Sequence, residues 1–505
     1  MKGSLLQIPI PNSIQDDSLI GSLFTLAKDS FVYLIGTVVV GLGNFILVPL
    51  YTRYLPPAEF GVYSLLDVTI LVVVTITQLG LGVSYLKWYA EIGESKRADL
   101  LGSVLLVGTT SAIVGGSLVT IVMVSPLGGQ WLQTEERSFA WIMAPIVMLE
   151  NVQGLLLADL RARRKSVAFS LGGITRLLAI VGASLWFIVI QKEGVNGVFL
   201  GRLVGDGIGV LVLLFLCFHS AVPGFARSII APMIRYGLPL VWSAFMGMML
   251  DASGRYFLGH YSTMEQVGFY GAAIKIGNIF QMLVYQPFGV AWGGLMFQIA
   301  KWPNARVIYS KILVYVFVIS LSAAFILALF TSTLFAVFAT ETYAPAMAVF
   351  PLILLVRAIN IMEYPAAIGI YLGGHTKYFG LIYSIGLAVN VAGNYVLTPA
   401  YGMFGAAWAW LVAWMTITLL MAWIGQRYYP LHYDWKLFAF PIILWGLFLM
   451  DNGKVLLGFR EPIQFLLALI VVLGVGVFLA RDVRNAYKYV IRERPGCEDS
   501  SGRSI

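Results

Sequence analysis

Five basic residues, Arg176, Arg202, Arg255, Lys275 and Arg357, interrupt long apolar stretches of a chain that is 59% hydrophobic and 11% charged. A cation at the centre of a membrane-spanning helix costs about 2.5 to 3.5 kcal/mol on insertion scales. Such residues persist where they are compensated or used, and five together suit a polar cavity that attracts an anion. Five acids, Asp67, Glu150, Asp206, Asp251 and Glu363, lie in similar surroundings, so the cavity need not be strongly positive. A buried carboxylate can take up a proton near neutral pH, which offers a route to coupling with an H+ or Na+ gradient. Glu150 and Glu363 lack a basic neighbour on their own helices and lead the candidates for that role, ahead of Asp206, Asp251 and Asp67.

Spacing divides the cations. Asp206 follows Arg202 by four residues and Asp251 precedes Arg255 by four, so each pair shares a helix face and can neutralise itself locally. Arg176, Lys275 and Arg357 have no carboxylate within four residues; Glu363 lies six beyond Arg357, about 240° round a helix. Their partners are other helices, water or an anionic substrate, and a cavity role is expected of these three first. Asn390 and Asn394 are one turn apart on one face, where amides hydrogen-bond either a neighbouring helix, the weightier expectation, or a sugar hydroxyl.

Signals for other chemistry are missing. His219, His260, His375 and His432 lie at span ends or in loops without a metal-ligand partner at helical spacing, and Cys217 and Cys497 are far apart. No Walker sequence or nucleotide fingerprint is present, so no cofactor, metal or ATP is expected, and the chain does not read as an enzyme. The net charge of +8 reflects loop charges that set orientation in a chain this apolar, rather than nucleic-acid binding. Pro9, Pro11, Asp16 and Asp17 interrupt the first segment, so a cleaved leader is not expected.

A mean hydropathy of +0.84 over 505 residues leaves too little polar surface for a soluble globule. Apolar runs of about 20 residues, enough to cross a bilayer core, are found near 31–55, 61–86, 101–125, 139–160, 168–190, 197–218, 236–258, 267–297, 307–334, 346–372, 379–399, 403–424, 437–450 and 462–480. The thirteenth is short and holds Pro441. Lys and Arg test the count, because they accumulate on the cytoplasmic side. Alternating the loops places 23 on one side, 5 on the other and 5 within spans, which accounts for all 33. The expectation is an all-α polytopic membrane protein of fourteen spans with both termini cytoplasmic.

The chain also repeats. Tyr54, Gly61 and Tyr63 recur as Tyr261, Gly268 and Tyr270 at an offset of 207; Gly194 and Gly197 recur as Gly402 and Gly405 at 208; Pro145 recurs as Pro351 at 206. Six spans therefore match six spans, and an even number makes the repeat parallel. The expected organisation is a segment over 1–27, six-helix bundles over 28–220 and 228–427, a terminal helix pair over 435–482 and a tail over 483–505. Pro56 and Pro57 should end the first helix, Gly61 should allow close approach, and Tyr63 should sit at the aqueous interface. Pro49, Pro145, Pro239, Pro287, Pro351 and Pro365 fall within spans, where they permit kinks or hinges.

At Arg53-Tyr54-Leu55 with Glu59-Phe60-Gly61-Val62-Tyr63, and again at Asn390-Val391-Ala392-Gly393-Asn394-Tyr395-Val396-Leu397-Thr398-Pro399 with Gly402 and Gly405, the sequence resembles the polysaccharide transporter branch of the multidrug/oligosaccharidyl-lipid/polysaccharide (MOP) exporter superfamily, which includes the O-antigen flippases. The resemblance covers nearly the whole chain. It implies a two-lobed carrier in the cell membrane that exposes a cationic cavity to alternate faces and moves a polyprenyl-diphosphate-linked oligosaccharide outward, acting as a monomer. Two alternatives stay open. A membrane polymerase or ligase of such glycans would need a catalytic region outside the bilayer, yet the longest outer loop covers only about 126–138. A multidrug cation antiporter of the same superfamily would need a cavity dominated by carboxylates and aromatics.

Overall fold

Hydrocarbon offers no water to backbone N–H and C=O groups, so a chain this apolar folds into elements that satisfy them internally. A computed structural model describes residues 41, 43, 45–126, 128, 139–217, 227–431, 436–450 and 461–492, and the regular elements among them are helices. Eleven helical segments there are long and apolar enough to cross a membrane, and they correspond to the second through twelfth expected spans. The first part of the first expected span, over 31–40, lies outside the described residues, as do the 1–27 segment, most of the 126–138 loop, Cys497 and the end of the tail.

A helical stretch over 45–54 (α1) precedes α2 (Pro57–Thr77), α3 (Leu81–Glu91), α4 (Arg97–Val124), α5 (Ala140–Ala162), α6 (Ser166–Ser184), α7 (Gly194–Cys217) and α8 (Arg227–Tyr261). Then come α9 (Met264–Phe280), α10 (Gln286–Ile299), α11 (Ala305–Leu329), α12 (Thr331–Phe338) and α13 (Ala346–Asn360). After these follow α14 (Glu363–Ala366), α15 (Ile368–Leu372), α16 (Lys377–Tyr401) and α17 (Met403–Tyr428). The last two, α18 (Lys436–Met450) and α19 (Glu461–Arg492), pack on α11, where Trp445 Nε1 donates to the Leu321 carbonyl at 3.0 Å.

Several spans are interrupted. Between α2 and α3, Leu79 and Gly80 both take positive φ, 52° and 69°. A π-helical turn over Leu185–Ile190 ends the α6 span, and another over Gln281–Tyr285 joins α9 to α10 just before Pro287. The tenth expected span is divided into α13, α14 and α15, with Pro365 in the middle piece. Pro145, Pro239 and Pro351 instead sit inside continuous helices.

Helices from the two repeats meet at glycines. A Cβ added to Gly61 on α2 would lie 1.9 Å from the Met264 carbonyl oxygen, and one added to Gly268 on α9 would lie 1.9 Å from that of Pro57. These are the repeat-related glycines, and each lets the other's helix approach backbone to backbone. At the opposite end of α2, a Cβ on Gly80 would fall 2.5 Å from Gly237 Cα on α8. There Ser84 donates to the Met233 carbonyl at 2.9 Å.

Candidate functional site

A chamber of about 380 Å³ lies among these helices, walled by residues of α1, α2, α5, α6, α7, α9 and the turn into α10. Asp67, Glu150, Arg176, Arg202 and Lys275 all line it. The local sequence explains how the two arginines come together. Gly201, Gly205 and Gly209 form a stripe on α7 at four-residue spacing, and added Cβ atoms there would meet Ser184, Ile180 and Arg176 of α6. Small residues at this period let two membrane helices close up. They bring the Arg176 stem over Gly209 and its guanidinium beside the charges that neighbour the stripe, Arg202 and Asp206.

The charges form an alternating chain. Arg176 Nη2 donates to Glu150 Oε1 at 2.7 Å, and the same oxygen accepts from Arg202 Nη2 at 2.7 Å and Nε at 3.2 Å. Arg202 Nη1 donates to Asp67 Oδ1 at 2.8 Å, and Lys275 Nζ donates to Asp67 Oδ2 at 2.6 Å. Behind the wall, Arg176 Nε donates to the fully buried Asp206 at 2.6 Å. Lys275 also donates to the Tyr63 hydroxyl at 2.9 Å. Asp67 on α2 thus joins an arginine of the first repeat to a lysine of the second.

For Arg202 the carboxylate on its own helix is only the most distant of three ion-pair partners, and for Arg255 it is taken by another helix. Arg202 Nε is 4.0 Å from Asp206, which is gripped by Arg176 instead. Asp251 pairs with Arg357 at 3.1 Å, leaving Arg255 buried with its Nε lacking a hydrogen-bond partner and, among the described residues, with no ion pair. The physical reason is shared: a carboxylate on a packed neighbouring helix meets a guanidinium end-on, whereas the i,i+4 reach runs along the helix surface. The three cations without a carboxylate on their own helices, Arg176, Lys275 and Arg357, are all paired across helices. Arg357 also donates to Asn278 Oδ1 at 3.0 Å and lies 4.8 Å over the Trp410 ring. Glu150 has two basic neighbours on other helices, while Glu363 has no ion pair among the described residues.

Glu363 accepts hydrogen bonds from Tyr285 and Tyr383, each at 2.5 Å. It lines a second cavity of about 360 Å³ with Asp251, Asn360 and Trp414, and Gln281 borders both cavities. Asn390 and Asn394 line neither. They are buried in a ladder in which Ser253 meets Asn390 Oδ1, Asn394 Nδ2 donates to Asn390 Oδ1 at 3.0 Å and Thr398 donates to Asn394 Oδ1 at 2.9 Å. Tyr63, expected at the aqueous interface, is buried because its hydroxyl serves Lys275.

Tyr285, Tyr383, Asn278 and Gln281 were not singled out by the sequence, and Tyr63 was given a different place. Spacing held a partial signal: Tyr63 precedes Asp67 by four residues and Asn278 follows Lys275 by three, so each shares a helix face with a charge.

Fold and chamber together define a class, the all-helical polytopic membrane proteins with a charged chamber walled by both repeats. Within it, the chain belongs to the polysaccharide biosynthesis protein family, whose model matches residues 26–300. Its structure is similar to that of the lipid II flippase MurJ in an inward-closed conformation, with a TM-score of 0.69 and 12% identity over 90% of this chain and 99% of that one. It is also similar to an inward-facing multidrug resistance MATE family transporter of the MOP superfamily, with a TM-score of 0.58 and 15% identity over 78% of this chain and 94% of the other. No curated protein matches the chain in sequence. The shared fold agrees with the sequence resemblance to the polysaccharide transporter branch.

Proposed function

We propose that this protein is a flippase that moves a polyprenyl-diphosphate-linked oligosaccharide outward across the cytoplasmic membrane for cell-surface polysaccharide assembly. The observation that carries the reading is the row of Arg176, Arg202 and Lys275 in one chamber wall, contributed by both repeats. In this reading the chain crosses the membrane fourteen times with both termini cytoplasmic, its two six-helix bundles rock about the chamber, and it works as a monomer. The diphosphate binds the cations, the sugars occupy the chamber, and the lipid tail stays in the bilayer at the cleft between bundles. Glu363, held by two hydroxyls and by no cation among the described residues, is the carboxylate best placed to carry a coupling proton.

The test is deletion in the source organism, followed by analysis of surface glycan and lipid-linked precursor. Loss of surface glycan with accumulation of full-length precursor on the cytoplasmic side supports the proposal. Precursor that reaches the outer face but fails to polymerise or transfer favours a polymerase or ligase. A cation antiporter has one observation in its favour, the second cavity, with two carboxylates, two tyrosines and a tryptophan in its wall. Organic-cation efflux from cells with unchanged glycan would establish that reading instead.

A further inference from the structure

The anion-binding residues of the chamber are occupied by the protein's own anions. Glu150 Oε1 accepts three N–H bonds from two guanidiniums, as a phosphoryl oxygen would. Asp67 bridges a guanidinium and an ammonium with its two oxygens. One group, Arg202, grips both: Nη2 holds Glu150 and Nη1 holds Asp67, so the two carboxylates lie side by side on three cations. A bidentate guanidinium is the residue suited to planar recognition of carboxylate and phosphate alike.

We infer that Glu150 and Asp67 are stand-ins for the two phosphoryl groups of the substrate, holding Arg176, Arg202 and Lys275 while the carrier is empty and yielding them when a diphosphate binds. The inference rests on the proposed flippase reading. In a diphosphate esterified at both ends, each phosphoryl group keeps one ionisable oxygen, so the group carries two negative charges. Two carboxylates carry the same charge, and the exchange leaves the three cations equally compensated. Once the diphosphate has left, the two carboxylates take the three cations back, so the carrier returns without bare cations in a low-dielectric wall. Asp206 keeps its grip on Arg176 from behind throughout, because it is fully buried and points away from the chamber lining.

The displaced groups have places to go. Arg255 is buried on α8, whose Tyr256 shares a 2.9 Å hydrogen bond with Thr69 two residues beyond Asp67, and it makes no ion pair among the described residues, so it can receive that carboxylate. Glu150 lies on the chamber wall, where water can solvate it. The Asp67–Lys275 bridge between repeats is then replaced by a bridge through the substrate itself, which ties loading to the contact between the two bundles.

The experiment uses the purified full-length chain in nanodiscs with geranylgeranyl-diphospho-N-acetylglucosamine as probe and the corresponding monophosphate as comparator. Glu150→Gln and Asp67→Asn keep side-chain shape and remove the competitor. Each is expected to bind the diphosphate about tenfold more tightly than wild type, the factor that 1.4 kcal/mol represents. The double variant should gain again for the diphosphate, but not for the monophosphate, which displaces one carboxylate only. Thermal unfolding confirms that each variant is folded. Carboxylate infrared bands of the wild-type protein, labelled with ¹³C at Asp and Glu, give a second reading that needs no variant, and they should shift on addition of the diphosphate probe. Wild-type binding with unchanged or weaker binding by folded amide variants, or with unshifted carboxylate bands, overturns the stand-in role and leaves the flippase reading intact. Absence of diphosphate binding by every form overturns both.

Discussion

Arg202 makes more ion pairs than Arg176, yet its loss is predicted to harm stability less. Arg202→Gln removes hydrogen bonds to Glu150 and Asp67, but Glu150 keeps Arg176 at 2.7 Å and Asp67 keeps Lys275 at 2.6 Å. No carboxylate is stranded, and because Glu150 and Asp67 each keep a cation, the net loss is that of about one charged hydrogen bond, roughly 1.5 to 3 kcal/mol. Arg176→Gln leaves Glu150 with Arg202 but leaves the fully buried Asp206 with only the 4.0 Å approach of Arg202 Nε. An uncompensated buried charge costs about 3 to 5 kcal/mol. The Arg176 variant should therefore unfold first in thermal and denaturant assays in detergent. Because membrane proteins often unfold irreversibly, half-life at a fixed temperature is the safer measure. Adding Asp206→Asn should restore most of the stability lost with Arg176 and little of that lost with Arg202, as a double-mutant cycle would show. Equal losses, or a larger loss for Arg202→Gln, would refute the idea that stranded charge governs this network.

Three further outcomes follow from particular contacts. Tyr63→Phe removes the oxygen that accepts from Lys275 while leaving the ring in place, and should cost about 1 kcal/mol in stability, with reduced rather than abolished glycan export in complemented deletion cells. Gly61→Val and Gly268→Val each drive a side chain into a backbone carbonyl of the partner repeat, so both should unfold at lower temperature or lose export, whereas Gly82→Ala, which meets nothing within 4 Å, should do neither. Glu363→Gln keeps an acceptor for one tyrosine and should fold, while export in vesicles loses its dependence on an imposed proton or sodium gradient; retained dependence removes Glu363 from any coupling role.

The spans were legible because their signal is one-dimensional: Ala305–Leu329 has a mean hydropathy of 2.7 and needs no neighbour to be recognised. Close approach at Gly61 and Gly268 was partly legible from the repeat, since residues that recur at equivalent places near a symmetry axis tend to meet each other. Pairing within the site was not legible. The ten charged residues singled out within spans could be named, but their partners depend on how each helix is rotated and which helix lies beside it. The i,i+4 rule assigned Asp206 to Arg202 and Asp251 to Arg255, and in both cases a guanidinium from another helix took the carboxylate. The glycine stripe Gly201, Gly205 and Gly209 held the missing information, because it marks the α7 face that α6 covers and hence where the Arg176 side chain must lie. Breaks such as Gln78–Gly80 escaped for a different reason: apolar composition continues across them, and only the left-handed backbone at Leu79 and Gly80 records the interruption.

On the proposed reading, an anion site inside a membrane protein must exist before any substrate arrives, and that requirement accounts for carboxylates built in among the chamber cations. Arg176, Arg202 and Lys275 would together cost several times the roughly 2.5 to 3.5 kcal/mol of a single intramembrane cation if they were inserted bare. Asp67, Glu150 and Asp206 bring the network to three cations and three carboxylates, and the ion pairs between them make insertion and folding feasible. The division of labour among the three acids follows from position. Asp206 is fully buried, faces α6 and is a fixed counter-charge; Asp67 and Glu150 face the chamber and are replaceable. Arg255 stands outside this balance, buried on α8 and without an ion pair among the described residues. In the proposed exchange a carboxylate handed to Arg255 offsets part of the cost of displacing Asp67, because a buried guanidinium is stabilised by gaining an ion pair.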